Sequence, residues 1–150
     1  MVKTGSAFED ASNNGISHFL EHCMFKGTHH RTAFEISDSI DRIGAQINAY
    51  TAKETTCYYT KSTSEHFYES LEILSDIFFN SKYEQSELDK EKGVVIEEIN
   101  MCEDTPEDIC FDLLAQSYFG NSGLGQTILG PIDNIKKFTR DDILKYIQIR

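Results

Sequence analysis

The pentapeptide His-Phe-Leu-Glu-His at residues 18–22 constrains this chain more than any other feature. Residues four apart on a helix lie one turn apart, so His18 and His22 project from the same side and Glu21 lies at its edge. The apolar residues around the motif recur at helical spacing and face elsewhere: Ile16, Phe19, Leu20 and Cys23. We therefore predict a helix near residues 14–25, with capping and turn chemistry from Asn13-Asn14-Gly15, that buries one side and turns its histidines toward a cleft.

Two imidazoles at this spacing suit a single zinc ion. Both can reach one ion at the roughly 2.0–2.1 Å of a zinc–nitrogen bond without distorting the helix. The order H-x-x-E-H is the inverzincin signature, in which a glutamate beside the ion takes a proton from an activated water molecule. The motif thus predicts His18 and His22 as zinc ligands and Glu21 as the general base. The alternative is a helix whose histidine pair binds no metal.

A catalytic zinc site has three protein ligands and one open position, so a third donor must come from another element. Glu91 and Glu98 lie seven residues apart, about two helical turns, and would share one face of a helix. The Val-Val-Ile run at residues 94–96 is unusual for a solvated surface, which suggests that these carboxylates are buried for a purpose. Ordinary ion-paired glutamates on a helix are the alternative at this point.

The remainder of the chain predicts one α+β domain in which helices dominate. Met1 to Ser6 resembles the end of a β-strand, so we expect that an N-terminal strand is missing. Capping residues, turn residues and hydrophobic periodicity predict the following elements: a helix from the Thr32 cap through Ile43, a hairpin of strands Gln46–Thr51 and Thr56–Thr63, helices Ser64–Asn80 and Ser86–Met101, a helix from the Thr105 cap through Tyr118, a loop over Gly120–Gly130 and a helix after the Thr139 cap.

The acidic balance of the chain excludes one class of partner. Lys and Arg total 14 against 25 Asp and Glu, a formal net charge of −11, and so acidic a surface repels nucleic-acid phosphates. We therefore expect no nucleic-acid partner. No apolar run approaches the roughly 18 residues that a bilayer crossing requires, so we expect no membrane span either.

Four cysteines have spacings that match neither a zinc ribbon nor a dense disulfide framework: Cys23, Cys57, Cys102 and Cys110. Reduced thiols are therefore expected. The N-terminus has no apolar or Arg-rich targeting stretch. Together these observations favour a cytoplasmic location, without excluding a mitochondrial or exported parent protein.

Several segments resemble the pitrilysin-type zinc metallopeptidases, which include insulysin and the mitochondrial processing peptidase, and most of all the bacterial processing-peptidase branch. Residues 15–28 are similar to the catalytic helix of that family and the turn after it. Residues 44–51 resemble its substrate-binding strand, and residues 91–99 resemble the helix that supplies the third ligand. Residues 124–130 resemble its late glycine-rich loop. The resemblance implies an antiparallel-rich mixed sheet with helices packed on one face.

The resemblance also assigns roles to residues outside the histidine motif. It implies that Glu98 is the third Zn²⁺ ligand and that Glu91 is a supporting acid in the catalytic site. It implies that an extended substrate binds beside the strand Asn48, Ala49, Tyr50 and Thr51. Cys23 stands where the family usually has methionine, and we interpret it as a buried thiol.

By this resemblance the chain is a zinc endopeptidase domain that cleaves extended peptides or unfolded segments. Family members carry an upstream strand and a second, similar domain that closes over the substrate. Residues 1–150 are therefore expected to be the N-terminal zinc-binding domain, truncated at both ends, with a C-terminal domain or partner subunit missing. The alternative is a non-catalytic partner subunit of the same fold, inactive without its second domain.

Overall fold

A computed structural model describes residues 1–149 as seven α-helices and one two-stranded antiparallel sheet. The α+β prediction is confirmed. In chain order the elements are α1 (Ile16–Met24), α2 (Ala33–Arg42), β1 (Gln46–Thr51), β2 (Thr56–Lys61), α3 (Phe67–Asn80), α4 (Gln85–Glu103), α5 (Pro106–Phe119), α6 (Ile132–Lys137) and α7 (Arg140–Ile149).

The predicted hairpin forms between β1 and β2. The pairing runs from Gln46 opposite Lys61 to Thr51 opposite Thr56. The second strand ends at Lys61, two residues before its predicted end, because Thr63 is the N-cap residue of a short 3₁₀ turn that precedes α3. Val2 forms an antiparallel bridge with Thr56, so the N-terminal segment is extended there as predicted.

The core lies around α1, which contacts β1, α4 and α7. Phe19 of α1 is completely buried, and its ring centroid lies 5.8 Å from that of Phe138. Cys23 is buried in the same cluster, which confirms the interpretation of a buried thiol. Other fully buried side chains come from α3, α4, α6 and α7: Ile73, Ile77, Leu88, Val95, Ile135 and Ile143. α1 is thus anchored by its apolar side, which leaves its other side for the histidines.

Two helix starts have the capping chemistry that the sequence indicates. Thr32 and Glu35 form a reciprocal capping box at α2. At α7, Thr139 Oγ1 accepts a hydrogen bond of 3.3 Å from the Asp142 amide, and Asp142 Oδ2 accepts one of 2.9 Å from the Thr139 amide. Aspartate thus stands in place of the usual glutamate of the box.

Further features differ from the sequence prediction. α3 begins at Phe67 and not at Ser64, because residues 64–66 form the 3₁₀ turn. α6 was not predicted, since six residues are too few for a periodic signal and its position depends on the burial of Asn134 and Ile135. α1 has no capping side chain at Asn13 or Asn14, and a distant residue described below takes that role.

Within residues 1–149 no helix combines the length and the apolarity needed to cross a bilayer.

Candidate metal centre

The two histidines of α1 converge on one oxygen of α4. Nε2 of His18 lies 3.6 Å from Oε2 of Glu98, and Nε2 of His22 lies 3.3 Å from the same oxygen. The donor atoms of these three residues all lie within 4.8 Å of one another. Ligands that hold zinc tetrahedrally with bonds of roughly 2.0–2.1 Å stand about 3.3 Å apart, so the separations and the His₂Glu donor set fit this ion.

The packing of α1 against α4 brings these residues together from distant parts of the sequence. Glu91 and Glu98 share the face of α4 that meets α1, as the spacing predicts. The expectation that both carboxylates are buried was wrong for Glu98. The Glu91 side chain is 7% exposed and the Glu98 side chain 41%, because Glu98 lies where the helix pair opens into a cleft.

His18 is the buried member of the pair. Burial, aided by repulsion from His22, lowers the pKa of His18 to about 4. Its Nδ1 is buried and has no hydrogen-bond partner among the described residues. At neutral pH this imidazole is therefore uncharged, which is the form that binds a metal ion.

The carboxylate of Glu91 contacts the outer side of the His22 ring. Its Oε2 lies 3.4 Å from Nδ1 of His22, the ring nitrogen that faces away from Glu98. Its Oε1 lies 2.7 Å from Nζ of Lys26, just beyond the end of α1. A carboxylate on the outer nitrogen of a metal-binding imidazole fixes the orientation of that ring.

Glu21 lies beside the three donor residues, and a residue of the hairpin holds its side chain in place. Its carboxylate accepts a hydrogen bond of 2.5 Å from Oγ1 of Thr51. Burial raises the pKa of Glu21, the Thr51 hydrogen bond and the nearby His22 oppose the rise, and the negative charge of Glu98 adds to it. This arrangement leaves a carboxylate of raised basicity at the edge of the cleft, which suits a general base.

These groups open into a cleft of about 460 Å³. Its lining comes from α1, β1, α4, α5 and the loop before α6: His18, Glu21, His22, Ala49, Tyr50, Thr51, Glu98, Cys102, Asp108, Phe111, Asp112, Ile128 and Leu129. Three of the four predicted substrate-binding residues are therefore at the cleft. Asn48 does not line it, and its side-chain oxygen instead accepts a hydrogen bond of 2.8 Å from the Ala49 amide.

No local sequence pattern indicates the residue that caps α1. Glu9 is buried, and its carboxylate accepts hydrogen bonds of 2.8 Å from the amides of Gly15 and Ser17 and of 3.0 Å from the Asn14 side chain. These N–H groups stand at the start of α1, where they have no partner within the helix. A carboxylate this far from the helix start follows no local capping pattern, so only the tertiary structure reveals it.

The start of α1 is also pressed against the loop before α6. Gly15 and Gly130 have positive φ angles of 97° and 72°, and a Cβ atom on Gly130 would collide with the carbonyl oxygen of Asn14. Asn14 donates a hydrogen bond of 2.9 Å to the carbonyl of Thr127. The same loop provides Ile128 and Leu129 to the cleft, so one contact fixes both the helix and a wall of the site.

A polar cluster fixes the turn that follows α1. Asp76 on α3 is buried and accepts hydrogen bonds of 2.7 Å from Thr28 Oγ1 and 2.8 Å from Arg31 Nη1. Arg31 also forms a bidentate pair with Glu72. The histidine helix is therefore tied at its start by Glu9 and after its end by Asp76.

Comparison with known proteins gives a consistent result. The model of the insulinase family, peptidase family M16, matches residues 1–132. The uncharacterized zinc protease YmxG of Bacillus subtilis is 50% identical over 146 residues, which are 97% of this chain and 36% of that protein. The β subunit of the human mitochondrial-processing peptidase is 41% identical over 97% of this chain and 30% of its own length.

A solved structure described as a protease from Helicobacter pylori has a similar fold. It aligns with a TM-score of 0.85 and 29% identity, over 96% of this chain and 35% of that one. The chain thus spans about a third of the length of the proteins that it matches.

Proposed function

Because this chain belongs to the insulinase family of peptidases, peptidase family M16, we propose that it is the zinc-binding domain of an endopeptidase that cleaves extended peptides or unfolded segments. One observation carries the proposal. His18 and His22 converge on a single oxygen of Glu98, and Glu21 stands beside them without joining the group. That is a three-ligand site with an open position and a separate base.

His18, His22 and Glu98 would hold the Zn²⁺ ion, and Glu91 would support His22 from its outer nitrogen. When bound, zinc supplies a Lewis acid that polarises the scissile carbonyl and lowers the pKa of a water molecule. Glu21 would accept the proton of the attacking water and later donate it to the leaving amine. Its raised pKa favours the first transfer, because burial makes such a carboxylate bind a proton more readily.

The substrate would bind as an additional strand beside β1. Among the described residues β1 pairs with β2 alone, so its other edge remains available and faces the cleft. The Ala49 amide lies on this edge, where the Asn48 side chain now occupies it. A peptide carbonyl would take that place, and backbone pairing of this kind accepts many sequences but requires an extended chain.

The charge of the cleft favours basic substrates. Asp108 and Asp112, one turn apart on α5, line the cleft opposite the histidine helix. Glu21 of that helix adds a third carboxylate to the lining. The whole chain carries a net charge of −11, which adds a field of the same sign. A peptide with Arg or Lys near the scissile bond would gain from both.

Residues 1–150 would form the N-terminal, metal-bearing domain of a longer enzyme, since the relatives extend well beyond the matched third. A second domain or a partner subunit would then close the cleft over the substrate. The presence of all three donors and of the base in one place favours this function over the alternative, a non-catalytic subunit of the same fold.

The decisive experiment joins metal analysis with peptide cleavage. The purified chain should contain about one equivalent of Zn²⁺, and an extended basic peptide should be cut by the chain alone or by the chain extended by its adjoining C-terminal sequence. Glu21→Gln should retain the metal and lose cleavage. A folded protein that binds no zinc or other transition metal would overturn the proposal. Zinc without cleavage in either form would favour the non-catalytic subunit.

A further inference from the structure

Lys26 contacts the site from outside and has no role in the function proposed above. It follows the end of α1, four residues after His22, and its amide donates a hydrogen bond of 3.3 Å to the carbonyl of Cys23. Its Nζ lies 2.7 Å from Oε1 of Glu91, while Oε2 of the same carboxylate lies 3.4 Å from Nδ1 of His22. Each oxygen of Glu91 therefore has its own partner.

The burial of Glu91 makes this second partner necessary. Its side chain is only 7% exposed, and an ionised carboxylate in such a place requires a compensating charge or hydrogen bonds. Among the described residues the ion-pair contacts of Glu91 are with Lys26 and His22. An ammonium group near the end of α1 is also favourable for the helix dipole.

We propose that Lys26 is a positioning residue of the metal centre, which acts through Glu91 on the ring of His22. The inference rests on the proposed function, because the orientation of the His22 ring matters only if His22 is a zinc ligand. By holding Oε1, Lys26 leaves Oε2 for the contact of 3.4 Å with Nδ1 of His22. This contact would keep the lone pair of Nε2 turned toward Glu98 and His18, where the ion would bind.

Substitution at Lys26 can be separated from damage to the fold. Its side chain is 33% exposed, so replacement by Met, an unbranched side chain one atom shorter, leaves no cavity in the core. Lys26→Arg preserves the charge. The matched control is Lys90→Met, which removes an ion pair of 2.6 Å with Glu87 on the exposed side of α4.

The test measures zinc affinity by competition with a chromophoric chelator, in the 150-residue chain. Loss of a residue that orients a metal ligand commonly weakens metal binding by about 10–100-fold. We expect the lower end of this range for Lys26→Met, because Lys26 acts on His22 only through Glu91. Lys26→Arg should restore most of the affinity, and Lys90→Met should have none of this effect. In the background of Glu91→Gln, Lys26→Met should change affinity little further, because the group through which it acts has been altered.

A second readout is independent of the metal. In the zinc-free protein at pH 8, the ¹⁵N shifts of the His22 ring should report a proton on Nδ1, and Lys26→Met should mix the two tautomers. Unchanged zinc affinity and unchanged tautomer in Lys26→Met would overturn the inference, while the proposed function would survive. Wild-type protein that binds no zinc would instead overturn the proposed function. If Lys26→Met does not fold, the zinc affinity and the His22 tautomer are measured in Lys26→Gln and compared with those in Lys26→Arg.

Discussion

The hydroxyl of Thr51, the last residue of β1, donates a hydrogen bond of 2.5 Å to the carboxylate of Glu21 on α1. The strand that would receive the substrate and the group that would accept the proton are therefore joined directly. Burial on its own would raise the pKa of Glu21 further, and this hydrogen bond opposes the rise. The position and the basicity of the proposed base both depend on the hairpin.

Removal of this hydrogen bond should shift the pH profile of cleavage. In Thr51→Val the carboxylate loses a donor that stabilises its charged form, so the pKa of Glu21 rises and the base is protonated at higher pH. The acidic limb of kcat/KM should move to higher pH than in the wild type. Thr60→Val on β2 is the control, and an identical acidic limb in Thr51→Val and wild type would contradict the assignment.

Each proposed ligand should be needed for metal binding. His18→Ala, His22→Ala and Glu98→Ala should each reduce the bound zinc, because two remaining ligands hold the ion far more weakly than three. His66→Ala, at an exposed histidine paired with Glu69, is the control. Elemental analysis after equilibrium dialysis measures the loss. Full zinc content in Glu98→Ala would show that a different residue is the third ligand.

Glu21→Gln should separate metal binding from catalysis. Glutamine has nearly the shape of glutamate and can still accept the hydrogen bond from Thr51, but it cannot take a proton from water. We expect a fall of about 10²–10⁴-fold in kcat, with the zinc content unchanged. The measurement compares peptide cleavage and metal analysis in the form of the protein that is active. Cleavage at the wild-type rate would remove Glu21 from the mechanism.

The metal-free protein should lose stability in mild acid through His18. The folded pKa is lowered to about 4 from the ordinary 6.5, so the unfolded chain binds this proton first as the pH falls. The contribution is absent above pH 6.5 and grows through the window down to about pH 4, to about 3 kcal/mol of lost stability. Urea unfolding across this range should show a weaker pH dependence in His18→Gln, and parallel curves would contradict the burial of a neutral ring.

Glu9 should contribute strongly to the stability of the fold. Glu9→Ala leaves the amides of Gly15 and Ser17 and the side chain of Asn14 without their acceptor at the start of α1. We expect a fall of about 2–4 kcal/mol in the free energy of unfolding, measured with urea in the metal-free protein. Glu54→Ala, at an exposed acid in the hairpin turn, should have almost no effect. Equal stability of the two variants would contradict this role.

The sequence predicts the part of the site that local geometry determines. His18, Glu21 and His22 could be placed because the helical repeat fixes their relative directions within two turns. Glu98 could be proposed only from its spacing with Glu91 and from the family resemblance, and its exposure was wrongly predicted because the packing of α1 on α4 decides it.

The supporting residues could not be predicted for the same physical reason. Glu9, Asp76 and Lys26 act on α1 from other segments or from beyond its end, through contacts that exist only in the folded chain. No periodic pattern marks such residues. A buried acid in a loop has the same local sequence signal as an exposed one.

One wall of the cleft differs from the others in its packing. α5 carries Asp108, Phe111 and Asp112 at the cleft, yet none of its side chains is buried, and its main neighbour is α4. Helices with little buried surface open at a low free-energy cost, so amide protons of α5 should exchange with solvent sooner than those of α1. The two histidines proposed as metal ligands stand on the slowly exchanging α1, so a bulky peptide would displace the α5 wall without disturbing them.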